Sequence, residues 1–229
     1  MTRLVLHHAP GCALSQAVRI ALAEKGLTHD VRTVDLASRD AGLLALNPAG
    51  LVPVLEADGA VLTEAFFILC YLEDAFPQSP FGGGDPAVRY RVQYVGKLVE
   101  TAIAPNLAML EWAERGGAFP ADAERLPPER RAWWRKAGTG FTGQELGAGR
   151  VGLERAFADC ESWLAAHAWL AGEDFTIADM LLAPLAARVP GLGAATSRWL
   201  ARARRRPAVE LALSEPPLVT LGPERGRWG

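Results

Sequence analysis

Leu46-Asn47-Pro48-Ala49-Gly50-Leu51-Val52-Pro53-Val54-Leu55 decides how the first third of the chain folds. Pro48 drives Asn47 out of helical dihedrals, so a helix running toward it stops there. Gly50 permits a tight reversal. Val52-Pro53-Val54-Leu55 is a β-branched run with a proline inside it. A proline donates nothing to a ladder, so it belongs at the start or edge of a strand, or where the backbone serves another purpose. Downstream, Asp58-Gly59 reads as a two-residue hairpin between apolar runs. Glu64 then opens an apolar helix, Ala65 to Phe76, whose first turn favours an anion.

Upstream, Leu4-Val5-Leu6 reads as a short buried strand ended by His7-His8-Ala9-Pro10-Gly11. Cys12 precedes a helical pattern in which Leu14, Val18, Ala21 and Leu22 share a face, and Gly26 is a good stop. Val31 to Val34 makes a second strand. Strand, helix and parallel strand begin a βαβ unit. Ser38 is placed to cap a helix over 39–46. The first domain, 1–77, is therefore expected to be α/β with the thioredoxin-like order βαβαββα.

The Pro- and Gly-rich stretch 78–86 reads as a linker, and 87–213 as an all-α helical bundle. Val88 to Arg115 predicts one long helix that Pro105 kinks or ends early, and Gly116 to Pro128 a loop. Gly138 and Gly140 set Trp133 and Trp134 in a separate shorter helix. Thr142-Gly143-Gln144-Glu145 has capping-box spacing and opens a helix to about His167. Thr176-Ile177-Ala178-Asp179 is a second such signal, with Phe175 and Met180 available as a hydrophobic staple. Pro184 and Pro190 are expected to limit that helix. A basic helix spans Arg198 to Arg206, and 214–229 is a tail.

The chain has 229 residues, half of them hydrophobic, and a net charge of −2. That balance argues against a general nucleic-acid or membrane-surface role. No apolar run reaches the roughly 18 residues of a membrane span, and the start lacks a signal peptide's apolar segment. Three widely spaced cysteines make no disulfide framework. A reducing cytoplasm is the expected setting. His7 and His8 have no further His or Cys spaced to complete a metal site, so no metal is expected. Cys70 and Cys160 lie on apolar helical faces and read as core thiols. Trp112, Trp133, Trp134, Trp163 and Trp169 belong to the core or line an apolar pocket.

Cys12 is the sharpest chemical candidate. It stands at a helix start, where unpaired N–H groups and the dipole favour a thiolate. Cys12-Ala13-Leu14-Ser15 is a C-x-x-S pattern, so no second thiol can resolve a disulfide there.

The string Asn47-Pro48 through Val52-Pro53-Val54-Leu55 to Asp58-Gly59 and Leu62-Thr63-Glu64-Ala65 resembles the glutathione-binding half of the glutathione transferase family. Phe175-Thr176-Ile177-Ala178-Asp179 resembles a capped buried helix of its helical domain. The resemblance implies glutathione as co-substrate. Val52, before a cis Pro53, would pair its backbone with the cysteinyl part of glutathione, flanked by Leu51. Glu64 would hold the γ-glutamyl end. Most of the family has Ser where this chain has Ala65, which keeps the N–H but loses a hydroxyl worth about 1–2 kcal/mol. Cys12 falls where the family places its activating Ser or Cys, and Ser15 is the runner-up for that catalytic position.

The resemblance implies a homodimer in which the helix after Glu64 meets the partner's first long helix. It leaves three activities open. The glutathione thiolate attacks an electrophilic, apolar small molecule. Alternatively, Cys12 itself carries out thiol transfer or reductive dehalogenation. Or the fold serves as a non-catalytic interaction module.

Overall fold

The computed structural model describes residues 3–36, 41–115 and 123–214. The first domain runs β1 (Leu4–His8), α1 (Ala13–Glu24), β2 (Asp30–Thr33), α2 (Ala41–Leu46), β3 (Val54–Ala57), β4 (Ala60–Thr63) and α3 (Ala65–Ala75). This is the expected βαβαββα order. The sheet order is β2-β1-β3-β4, with β1 and β2 parallel and β3 antiparallel to both β1 and β4. β2 begins one residue before the expected Val31, and pairing continues past it through the Val34 N–H to His8 O at 2.7 Å. Ser38, the expected cap of α2, lies outside the described residues.

Alternation along β1 divides two cores. Leu4 and Leu6 join Ala17 and Ile20 of α1 and Ile68 and Leu72 of α3 in the main core. That core continues without a break into the helical half. On the other face Val54 packs with Leu43 of α2, Val52 and Ala9 in a small cluster that Cys12 borders.

The helical half opens with α4 (Pro86–Leu98), capped by Asp85, whose carboxylate accepts from the Ala87 N–H at 2.7 Å. The helix does not end at Pro105; the α-helical pattern is interrupted just before it. A π turn over Val99–Ile103 joins α4 to α5 (Ala104–Arg115). A proline ring crowds the carbonyl four residues back and removes one donor; a widened turn directly before it accommodates both. The loop expected from Gly116 falls partly outside the described residues, and Ala123–Arg125 form a 3₁₀ turn.

Then come α6 (Pro128–Thr139), α7 (Gly143–Ala166), α8 (Ile177–Ala186), α9 (Ala194–Ala203) and α10 (Pro207–Leu213). Trp133 and Trp134 sit in α6, as expected. Both capping boxes form, Thr142 with Glu145 and Thr176 with Asp179. Pro184 does not limit α8, which runs two residues beyond it. Every residue of α8 is buried, and it packs on α1, so burial outweighs the one lost hydrogen bond. The basic helix starts at Ala194, before the expected Arg198, and Pro207 opens a further helix that the sequence reading did not separate.

Two clasps hold the C-terminal end of α1, one to α3 and the linker and the other to the helical half. Lys25 lies 2.8 Å from Glu73 and donates to the carbonyls of Phe76 and Ser79, while Glu73 accepts from the Phe81 and Gly82 N–H groups. Arg206 donates to both oxygens of Glu24, at 2.7 and 2.6 Å, and lies over the Phe175 ring. Hydrogen bonding to Glu24 raises the Arg206 pKa. α1 is thus anchored at the end opposite Cys12.

Candidate active site

Cys12 is positioned by a local turn. Ala9 O accepts from the Cys12 N–H at 3.1 Å, Pro10 follows Ala9, and Gly11 takes φ +72°. Proline then glycine at the two central positions is the chemistry of a type II turn. Cys12 is the N-cap of α1, yet its side chain makes no capping bond. Its Sγ, half-buried, lies 4.0 Å from Val52 O.

Val52 comes from the loop that ends α2. Asn47 organises that loop from within: its Nδ2 donates to Leu51 O at 2.9 Å, and its Oδ1 accepts from the Ala49 N–H at 3.1 Å. Its own carbonyl accepts from Gly50, which takes φ +63°. The Val52–Pro53 peptide is cis. The Val52 N–H meets no acceptor among the described residues. An open backbone edge therefore lies beside a thiol.

Glu64 completes the arrangement. It is the N-cap of α3 with φ +65° and ψ +114°, a sterically unfavourable conformation for a residue with a side chain. Its carboxylate makes no capping bond. The first turn of α3, with Ala65 buried at its start, thus keeps donors for another anion.

The π turn brings a group the sequence reading missed. The carboxyl of Glu100 is held above its ordinary value by burial, then by the charge of Glu64, with Lys97 pulling it down. The Glu64 charge thus acts on Glu100 across the domain boundary. A carboxylate on a predicted helix carries no signal of that proximity.

Other candidates lie elsewhere. Ser15 has 0% exposure, and its hydroxyl has no hydrogen-bond partner among the described residues. It does not share the half-open position of Cys12, because it faces inward one turn along α1. His7 Nε2 lies 2.7 Å from Glu56 Oε1 on the sheet face, and His8 is buried. Burial pushes the Cys160 thiol up to about 12; burial and then Asp74, Glu73 and Glu100 push Cys70 up to about 11. Both stay protonated at neutral pH. Among the described residues no group of three or more His, Cys, Asp or Glu could hold a metal ion, and no helix is long and apolar enough to cross a membrane.

Residues 6–80 match the glutathione S-transferase N-terminal domain and residues 141–208 the C-terminal domain of the same family. The chain is 32% identical over 211 residues to the maleylacetoacetate isomerase of Pseudomonas aeruginosa, covering 88% of this chain and 87% of that one. It is 29% identical to the stringent starvation protein A homolog of Coxiella burnetii, covering 83% and 78%. The crystal structure of β-etherase LigF from Sphingobium sp. strain SYK-6 superposes with a TM-score of 0.78 at 27% identity, over 91% of this chain and 98% of that one. An open backbone edge before a cis proline, a thiol at the first helix start and an uncapped α3 are set in matching sequence and fold, and the chain belongs to the glutathione S-transferase family.

Proposed function

We propose that the chain is a glutathione-dependent enzyme that transfers the glutathione sulfur to an electrophilic, apolar small molecule. The observation that carries this reading is the Val52 N–H, which meets no acceptor among the described residues, on a residue whose carbonyl lies 4.0 Å from Cys12 Sγ. Glutathione's cysteinyl unit pairs with the Val52 N–H and C=O, with Leu51 and Pro53 shaping the edge. Its sulfur then lies beside Cys12. The γ-glutamyl carboxylate takes the Ala65 N–H and the first turn of α3, and the ammonium lies between Glu64 and Glu100.

In the transfer, the glutathione thiolate forms a C–S bond at the electrophilic carbon. The bond to a halide or aryloxide breaks, and the leaving group departs with the electron pair. A nucleophile that adds and later leaves would give an isomerisation instead, from the same first step. Cys12 supplies a second route. Its thiolate attacks one sulfur of a glutathione disulfide, forms a mixed disulfide and expels the other thiolate. Cys12 rather than Ser15 carries this chemistry, because Ser15 is enclosed.

Calorimetry tests the reading. The wild type binds glutathione, and Glu64→Gln binds about tenfold or more weakly, the effect of losing a charge-assisted contact. No heat up to millimolar glutathione would overturn the enzyme readings and leave the interaction module.

The homodimer belongs to the same proposal. Phe67 of α3 is 61% exposed and Tyr90 of α4 63% exposed, an apolar surface that a second copy covers. Phe67→Arg should run as a monomer in light scattering while the wild type runs as a dimer. Identical masses would sink the assignment.

A further inference from the structure

Among the described residues, the helices leave part of one sheet face open. Val5 pairs with Glu56, and His7 with Arg32 and Val54, so these side chains share that face. α2 has six residues, about 9 Å of helix, and packs its Leu43 on Val54 near Cys12. Beyond its reach, at the start of β1, lies a depression of about 280 Å³ lined by Arg3, Val5, Arg32, Glu56 and the Asp58–Gly59 turn. It sits at the other end of β1 from Cys12 and uses none of the residues placed around the thiol.

The charges around this depression are held apart. Glu56 Oε1 lies 2.7 Å from His7 Nε2, which orients the carboxylate and leaves Oε2 with no donor among the described residues. Asp58 Oδ1 accepts from the Arg3 N–H at 2.8 Å, and Arg3 O accepts from the Asp58 N–H at 3.2 Å, so the turn is fixed to the start of β1. The Arg3 guanidinium turns to Asp30, at 3.5 Å. Arg32 is exposed and makes no hydrogen bond or ion pair among the described residues. β2 and β3 flank β1, so Arg32 and Glu56 stand on strands about 10 Å apart, with the buried Val5 as the floor between them. A simple anion there meets two carboxylates, and a simple cation meets a guanidinium. A molecule carrying both charges satisfies each wall.

We propose that this depression binds a small zwitterion whose charges are separated, and that a free dipeptide is the class that fits. The carboxylate takes the planar fork of Arg32, and the ammonium lies between Glu56 and Asp58. The two charged ends of an extended dipeptide are about 6 Å apart by standard bond lengths, against about 3 Å in a single α-amino acid, so the dipeptide spans the gap that Arg32 and Glu56 leave open. Both recognised groups are chain termini, so the site reads the ends of the ligand and not its side chains. The proposal does not depend on the glutathione reading.

Calorimetry of the full chain with alanylalanine, its carboxyl amide and its N-acetyl form tests it. The wild type should hold the amide and the acetyl form about tenfold more weakly than alanylalanine, the effect of losing one charge-assisted contact. Arg32→Gln should no longer distinguish acid from amide while still rejecting the acetyl form. Glu56→Gln, whose amide keeps a hydrogen bond to His7, should lose most of the preference for the free ammonium and keep that for the carboxylate. Both variants should retain the wild-type melting temperature and glutathione affinity, since Arg32 is exposed and Glu56 half-buried. Saturating glutathione should leave the dipeptide affinity unchanged. Competition between the two would put the dipeptide at the Cys12 site and overturn the proposal. No heat up to about 10 mM alanylalanine, or losses in the two variants that do not depend on which end of the ligand is blocked, would overturn it as well. A wild type that binds the dipeptide and no glutathione would overturn the glutathione reading alone.

Discussion

Asp179→Ala should lower the unfolding free energy by about 4 kcal/mol and the melting temperature by roughly 10 °C. Asp179 has 0% exposure and accepts four hydrogen bonds. They come from the N–H groups of Leu170 and Thr176, the Thr176 hydroxyl and the Trp199 indole, at 2.7–3.1 Å. One carboxylate therefore caps α8, fixes the turn before it and holds α9 through Trp199. Removing it strands several buried donors together, and an unsatisfied buried donor costs about 1–3 kcal/mol. A denaturant melt within 1 kcal/mol of wild type would refute its role as a hub, by the same scale.

The same group predicts a pH dependence. Burial raises the Asp179 pKa to about 6, against the pull of its four donors. The folded state then holds this proton more tightly than the unfolded state, whose carboxyl titrates near its ordinary value. Its ionisation is thus a cost of folding that is absent below about pH 4, grows as pH rises toward 6 and is complete at neutrality. Glu161, lowered by the hydrogen bonds it accepts from Ala195 and Thr196 despite opposing desolvation, slopes the other way and loses stabilisation as the pH falls. Comparing wild type with Asp179→Asn at pH values from 4 to 7 isolates the Asp179 term. The wild type's advantage over the variant should shrink on the order of 2 kcal/mol across that range. An advantage that grows with pH would contradict it.

Much of this was legible because the informative residues act locally. Pro48, Gly50, Asp58 and Gly59 each constrain their own backbone, so the loop, hairpin and helix follow without tertiary information. Capping boxes at Thr142 and Thr176 are local for the same reason. Pro184 misled because a proline's effect is negotiated with its surroundings: complete burial of α8 outweighs its lost hydrogen bond, whereas a π turn takes up Pro105. The site was half legible. Cys12 and Val52 are each marked by the prolines and glycines beside them. The positive φ of Glu64 has no signature in a glutamate, and Glu100 reaches the site only through tertiary packing.

Incubation with oxidised glutathione should add one glutathionyl group to the wild type and none to Cys12→Ser. The two other cysteines do not compete, since Cys70 and Cys160 are held protonated, at about 11 and about 12. Cys12 has what they lack: a position at the N-terminal end of α1, with Sγ 4.0 Å from Val52 O. In the exchange the Cys12 thiolate attacks one sulfur, the Cys12–glutathionyl bond forms and the original disulfide breaks. The second glutathione leaves as a thiolate. Ser15 stands where a resolving thiol would be and is enclosed, so the adduct should persist until external reduced glutathione removes it. Glutathione affinity in Cys12→Ser should stay within about threefold of wild type, because Val52, Ala65 and Glu64 carry the binding in this reading. Mass spectrometry and calorimetry together separate the two chemistries. A wild type that binds glutathione but forms no adduct removes the nucleophile and leaves Cys12 as a hydrogen-bond donor to the glutathione thiolate, with transfer to an external electrophile as the reaction. An adduct that survives in Cys12→Ser would place the reactive thiol elsewhere and overturn the assignment of Cys12.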